Sequence, residues 1–407
     1  MSYDALCRSL DAAIDAEREP LIALCAELVA ARSVSPPGDT RAVAAVVSAY
    51  LAAGGVRTES LAIDPIAPNV LARIDGSVGA RHVIFNAHMD TMEPGRESDW
   101  TVPIYELTRR DGRLYGLGLG NMKGALAAMC LVSVLLSRRR AEWPGRITMT
   151  AVCDEVLFGE RGSAALLAAR PDLIGTALIS GEGPGFMGLA LAEKGVLWLD
   201  VETQSPGGHS SRAVRGGTAI SELAAALERL DTLNDSQVEF PAELASLSRG
   251  EGGVAGRTSV NIGRIEGGTL RGQMARSARA ELDVRLPPGI TIETFVARAR
   301  ALVAPFANTR IEIVRGWNGN WTGLDTPLAR AVTAAILSVR GAAPTAVVRL
   351  PASDAMRWRA RGVPAVCYGP QPTLSAGCDD HVLEQDLLDC AKVYARTALA
   401  LLHDEPG

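Results

Sequence analysis

The sequence predicts an α/β fold: a mainly parallel sheet covered by helices, with a separate α+β unit set into the chain. Three observations carry the prediction. Between Asn69 and Cys153 short apolar runs alternate with a long helical stretch, the pattern of strands joined by helical crossovers. From about Glu193 the texture changes to half-exposed, alternating strands. The chain's 407 residues also exceed what one ordinary core holds, so two domains are expected.

Residues 4–29 place apolar side chains three and four apart, which predicts helix, and Pro20 predicts a break or kink within it. The turn Ser35-Pro36-Pro37-Gly38 separates this from a helix at 39–53. Residues 69–73 and 82–86 read as buried strands, 124–136 as a buried helix and 147–153 as a third strand. Ligands in such sheets bind beyond the carboxyl ends of the strands. In the second unit, 196–203, 259–265, 278–285 and 310–314 read as strands, and 218–230 and 292–303 as helices. After Gly316-Trp317-Asn318 the chain returns to a helix at 327–339, a strand at 365–368 and a terminal helix at 383–402.

Composition narrows the partners. With 47% hydrophobic and 21% charged residues the chain is a well-buried globular protein, not a disordered one. A net charge of -5, with both signs mixed, leaves no basic footprint for nucleic acid and no polybasic membrane patch. A small-molecule substrate is the expected partner. The amphipathic N-terminus lacks a basic segment followed by an apolar one, and no apolar run of membrane-spanning length is expected. Seven scattered cysteines fit free thiols in a reducing cytoplasm.

Three motifs carry chemistry. Phe85-Asn86-Ala87-His88-Met89-Asp90-Thr91 is a strand ending in His-x-Asp: imidazole is a good zinc ligand, and a carboxylate two residues on can hold its other nitrogen. Alone it reads more commonly as a structural histidine. Leu114-Tyr115-Gly116-Leu117-Gly118-Leu119-Gly120-Asn121-Met122-Lys123-Gly124 is a glycine-rich strand-to-helix turn that does not match a phosphate-binding loop. Cys153-Asp154-Glu155-Val156 puts carboxylates directly after a buried strand, where they serve base catalysis or metal binding, or a solvated turn.

In order and spacing, these motifs resemble the acetylornithine deacetylase, succinyldiaminopimelate desuccinylase and aminoacylase family of zinc amidohydrolases and peptidases. Gly181-Glu182-Gly183-Pro184, Gly207-Gly208-His209-Ser210-Ser211, Asp283-Val284-Arg285-Leu286-Pro287 and Tyr368-Gly369-Pro370 extend the likeness over nearly the whole chain. The resemblance implies a zinc-exopeptidase-like catalytic domain (1–190 and 317–407) interrupted by a lid and dimerisation domain (191–316), a homodimer, and amide hydrolysis on an amino-acid-like substrate. It implies His88 as first zinc ligand, Asp90 as the carboxylate that orients it, Glu155 as general base, Glu182 as an acidic zinc ligand and His209 as the lid histidine.

Matched residue by residue, the chain departs from that pattern at the metals. The bridging Asp is Asn121, the second-zinc Glu is Val156, and the last histidine ligand falls on Ala376, unless a local shift brings His381 or Cys378 into its place. The site is therefore expected to hold one zinc or other divalent cation through His88, Glu182 and Asn121, or none. Three functions stay open: an amidohydrolase using Glu155 as general acid/base; a metal-independent enzyme running condensation, cyclisation or isomerisation, with His88 as proton shuttle; and a non-catalytic binding homologue. Asn121, Lys123, Asn261 and Arg285 are candidates for substrate contacts.

Overall fold

The computed structural model describes residues 2–371 and 377–403. The chain divides into two compact units, Met1–Leu191 with Thr322–Val347 and Ser353–Gly407, and Ala192–Trp321 with Val348–Ala352. The inserted unit thus ends at Trp321 rather than Gly316 and takes in a short later segment.

The first unit is built on a mixed sheet. Its strands run in the order Thr58–Leu61, Asn69–Asp75, Pro144–Val152, Ser77–His88, Ala177–Ser180, Ala365–Cys367 and Gly188–Glu193. The four central strands are mutually parallel, and the flanking pairs are antiparallel. The parallel expectation therefore holds for the centre and not for the edges. Helices Gly124–Arg138 and Ser163–Ala169 make the crossovers between central strands that parallel pairing requires. Strand Ala177–Ser180 and helix Ser163–Ala169 are too short to leave a periodic signal and were not expected from the pattern.

Helix Gly124–Arg138 is buried continuously from Gly124 to Leu136, because Gly, Ala and Leu present no face that needs water. Contrary to the sequence-based expectation, the stretch Leu119–Arg138 is long and apolar enough to cross a membrane by length and composition; 94% of that window is buried inside the protein, as a core helix would be. At the N-terminus, Tyr3–Ala16 and Arg18–Ala30 are two helices whose break falls at Glu17, not Pro20. Pro20 lies in the first turn of the second helix, where a missing N–H costs nothing; the first intrahelical bond is Leu21 N to Glu17 O.

The second unit is an antiparallel sheet in the order Ser259–Gly267, Ser277–Leu286, Gly195–Gln204, Thr309–Trp317. Helices Ala219–Asp231 and Ile292–Val303 cover one face. Burial alternates along the strands, so Leu197, Leu199, Val201, Leu282 and Val284 meet Leu223, Leu227 and Phe295 in one core, while the other face carries charge.

Candidate active site

Each central strand of the first unit delivers a polar residue just past its carboxyl end. His88 closes its strand in register with Val152, and Glu155 follows three residues after Val152. Ser180 lies in register with both Asn86 and Cys367, and Glu182 and Gln371 follow shortly after. Parallel register therefore brings four distant sequence segments to one edge, where ligand sites in such sheets form.

His88 is the centre of the group and is 1% exposed. Its Nδ1 lies 2.8 Å from the Asp90 carbonyl oxygen, so that nitrogen donates and the tautomer is set. The Asp90 carboxylate, expected to orient the ring, stands farther off at 3.6 Å. It accepts instead from Glu155 N (3.2 Å) and Val156 N (3.0 Å), and so fixes the backbone that carries the proposed base.

The other ring nitrogen, Nε2, faces oxygens: Glu182 Oε1 at 3.3 Å, Asn121 Oδ1 at 3.3 Å and Glu155 Oε2 at 3.6 Å. Burial alone would lower the pKa of His88, but the charge of Glu155, with Asp90 and Glu182, holds it well above 6.5. Burial raises Glu155 well above the usual carboxylate range, against the attraction of His88. Among the described residues, His88, Glu155 and Glu182 form the one group whose ligand atoms lie within 4.8 Å of one another. Val156, half-buried and apolar, stands where the resemblance puts a Glu.

The loop bearing Glu155 is tightly built. Asp154 adopts a left-handed φ of 61° directly after the strand, a conformation that costs energy and turns the chain sharply. Its carboxylate takes Arg161 N and Nη2, and Arg357 Nη2 donates to Gly159 O at 2.8 Å. Arg357 also faces Asp354, a buried carboxylate whose pKa burial lifts to about 6 and which feels the charge of His88. Sequence patterning did not single out Asp354.

Lys123, a candidate for substrate contact, is turned into the protein. It is 2% exposed, its Nζ donates to Ala31 O at 2.7 Å, and burial lowers its pKa to about 7. Asp380 holds the same glycine-rich loop, accepting from Gly118 N at 2.8 Å and Gly120 N at 3.1 Å.

Neither His381 nor Cys378 joins the His88 group. His381 bonds Asp379 O and lies 5.1 Å from the Tyr115 ring, and Cys378 is exposed. Ala376 lies outside the described residues. His209, Asn261 and Arg285 belong to the second unit. His209 is exposed, with Nδ1 2.9 Å from Ser211 Oγ; Asn261 is exposed on its strand; Arg285 forks onto Asp283 at 2.7 and 2.8 Å, a structural ion pair.

A parallel sheet that gathers one imidazole and several buried carboxylates at its strand ends defines a hydrolase-type α/β enzyme. Residues 84–400 match the family described as peptidase family M20/M25/M40. The chain belongs to that family, as its motifs implied. It is 29% identical over 237 residues to an acetylornithine deacetylase of Proteus mirabilis (strain HI4320), covering 58% of this chain and 57% of that one, so it spans little more than half of that relative. It is 23% identical to an N-formyl-4-amino-5-aminomethyl-2-methylpyrimidine deformylase of Bacillus subtilis (strain 168), over 95% of each. The dipeptidase Dug1p of Saccharomyces cerevisiae shares the fold over 100% of both chains, with a TM-score of 0.79 at 14% identity.

Proposed function

We propose that this chain hydrolyses an amide bond of a small N-acyl amino-acid-like substrate, with Glu155 moving the proton and one divalent cation held by His88, Glu182 and Asn121. The observation that carries the reading is the surroundings of His88 Nε2. With Nδ1 committed as a donor, Nε2 and the oxygens of Glu182, Asn121 and Glu155 converge with no positive charge among them unless the ring is protonated. The separations of 3.3 Å exceed a good hydrogen bond. They match the edge of a tetrahedron with bonds of about 2.0–2.1 Å, roughly 3.3–3.4 Å.

The donor set fits one such cation and not two. Asn121 is a neutral amide and Val156 has no donor, which removes the charge a second cation needs. When bound, the cation supplies Lewis acidity toward a carbonyl and a water. Glu155 takes the proton from the attacking water and returns it to the leaving nitrogen, a role its burial suits by raising its basicity. Asp90 keeps Glu155 in place through the backbone N–H groups it accepts from. The relatives named above, a deacetylase and a deformylase, support an acyl–nitrogen bond as the target.

A second reading places a proton where the first places a cation. His88 as a buried imidazolium between Glu155 and Glu182 supports metal-independent condensation, cyclisation or isomerisation. Elemental analysis of purified protein, combined with hydrolysis of a panel of N-acetyl and N-formyl amino acids, separates the two. One ion per chain, with turnover lost in chelator and restored by Zn²⁺, Mn²⁺ or Co²⁺, supports the first. Two ions per chain overturn the single-cation site. Turnover that ignores chelator selects the second, and ligand binding without turnover rejects both in favour of a binding protein.

A further inference from the structure

An asparagine side chain is ambiguous where a carboxylate is not. Its amide carries an acceptor oxygen and a donor nitrogen of nearly equal size, and only the oxygen can face a cation. Turned the other way, Asn121 would point two N–H bonds at the space between His88, Glu182 and Glu155 and repel positive charge. Something outside Asn121 must choose.

Gln371 is placed to do so. Its Nε2 donates to Asn121 Oδ1 at 3.1 Å, and that same oxygen stands 3.3 Å from His88 Nε2. Gln371 is 1% exposed and sits just beyond the strand Ala365–Cys367, on the same sheet edge as the other site residues. Its own Oε1 is packed against Gly183, where a Cβ would lie only 2.6 Å away, and it has no hydrogen-bond partner among the described residues. A buried amide with one end unsatisfied is a costly arrangement, and its bond to Asn121 is the contact it keeps.

We propose that Gln371 is a positioning residue for the cation: it locks the Asn121 amide with its oxygen toward His88, achieving by a hydrogen bond what a carboxylate achieves by its symmetry. The proposal rests on the single-cation reading above. Outer partners that orient ligands commonly contribute about 10- to 100-fold in metal affinity, which sets the expected size of the effect.

The test is a double-mutant cycle read by Zn²⁺ affinity, measured by competition with a chromophoric chelator on the intact chain. Gln371→Met keeps length and removes the donor; it should weaken Zn²⁺ binding at least about tenfold. In an Asn121→Asp background both atoms facing the site are oxygen, so the same Gln371→Met change should cost less than about twofold. Equal losses in both backgrounds would mean that Gln371 merely supports the fold and would overturn the proposal, as would no loss in the wild-type background. If the unaltered protein binds no Zn²⁺, the single-cation reading fails first and takes this inference with it.

Discussion

Two groups of charged side chains, one in each unit, stand in opposite surroundings. On the second unit's sheet they form a partly exposed ladder: Arg279 with Asp200 at 2.7 Å, Arg310 with Glu202 at 2.5 Å, Arg264 with Glu266 at 2.6 Å. In the first unit His88, Asp90, Glu155, Glu182 and Asp354 are all buried at the strand ends. Period-two alternation explains the ladder, since every strand covered on one face leaves its other face to water, where ion pairs are screened and individually worth little. No such rule requires four carboxylates inside. Burying them without compensation is costly, which is why they mark a site and the ladder does not.

The contrast is sharpest at Glu155. Glu155→Gln keeps shape and loses the ability to take a proton, so hydrolysis should fall about 10²–10⁴-fold with an unchanged circular dichroism spectrum. A variant keeping more than about a tenth of the rate removes Glu155 from its role. Next comes His88→Asn in chelator-treated protein, which leaves Glu155 and Glu182 without the cationic ring between them. Breaking a buried pair costs about 3–5 kcal/mol, read as a lower urea midpoint at pH 7. An unchanged midpoint would mean that the ring carries no charge there.

His82 extends the comparison to a buried histidine whose ring meets a hydroxyl, and whose neighbouring Asp172 and Asp75 do not outweigh its burial. Its Nε2 lies 2.8 Å from Thr148 Oγ1, and burial, helped by Arg146, lowers its pKa from 6.5 to about 4. The unfolded chain takes up this proton near pH 6.5 and the folded chain only near pH 4. Stability from this group is therefore complete above pH 6.5 and falls as pH drops toward 4, by up to about 3 kcal/mol. His82→Gln should flatten that part of the curve; an identical acid slope in the variant would assign it to the carboxylates. The smallest effect belongs to the ladder. Arg310→Ala should leave the urea midpoint within error at 0.15 M salt, and a clear drop would erase the distinction between the two units.

Local periodicity made much of this architecture legible. Helix Ile292–Val303 has the bounds its spacing predicts, and the central strands fall where short apolar runs end in turn residues. His88, Glu155, Glu182 and Asn121 could be singled out because each sits in a compact motif, and the structure gathers them. For Lys123 residue type alone suggests exposure, and only the packed chain shows the carbonyl of Ala31 receiving its ammonium. Gln371 and Asp354 left no local signal: their importance is a contact with segments far away in sequence. Asp380 did lie in a segment the motifs had drawn in, yet its partners, two backbone N–H groups, have no residue type to betray them.

The reach of Asp380 has a consequence for how the protein comes into being. Its carboxylate caps N–H groups 262 and 260 residues earlier in the chain, on the loop that carries Asn121. On the ribosome, that loop leaves the exit tunnel long before its cap is synthesised. For 260 residues of synthesis the loop's donors are answered only by water, and contacts of such separation are the slow ones to close. A nascent chain arrested before Asp380 would carry His88, Asn121, Glu155 and Glu182 and still lack a fixed loop, so a segment made later finishes one made earlier.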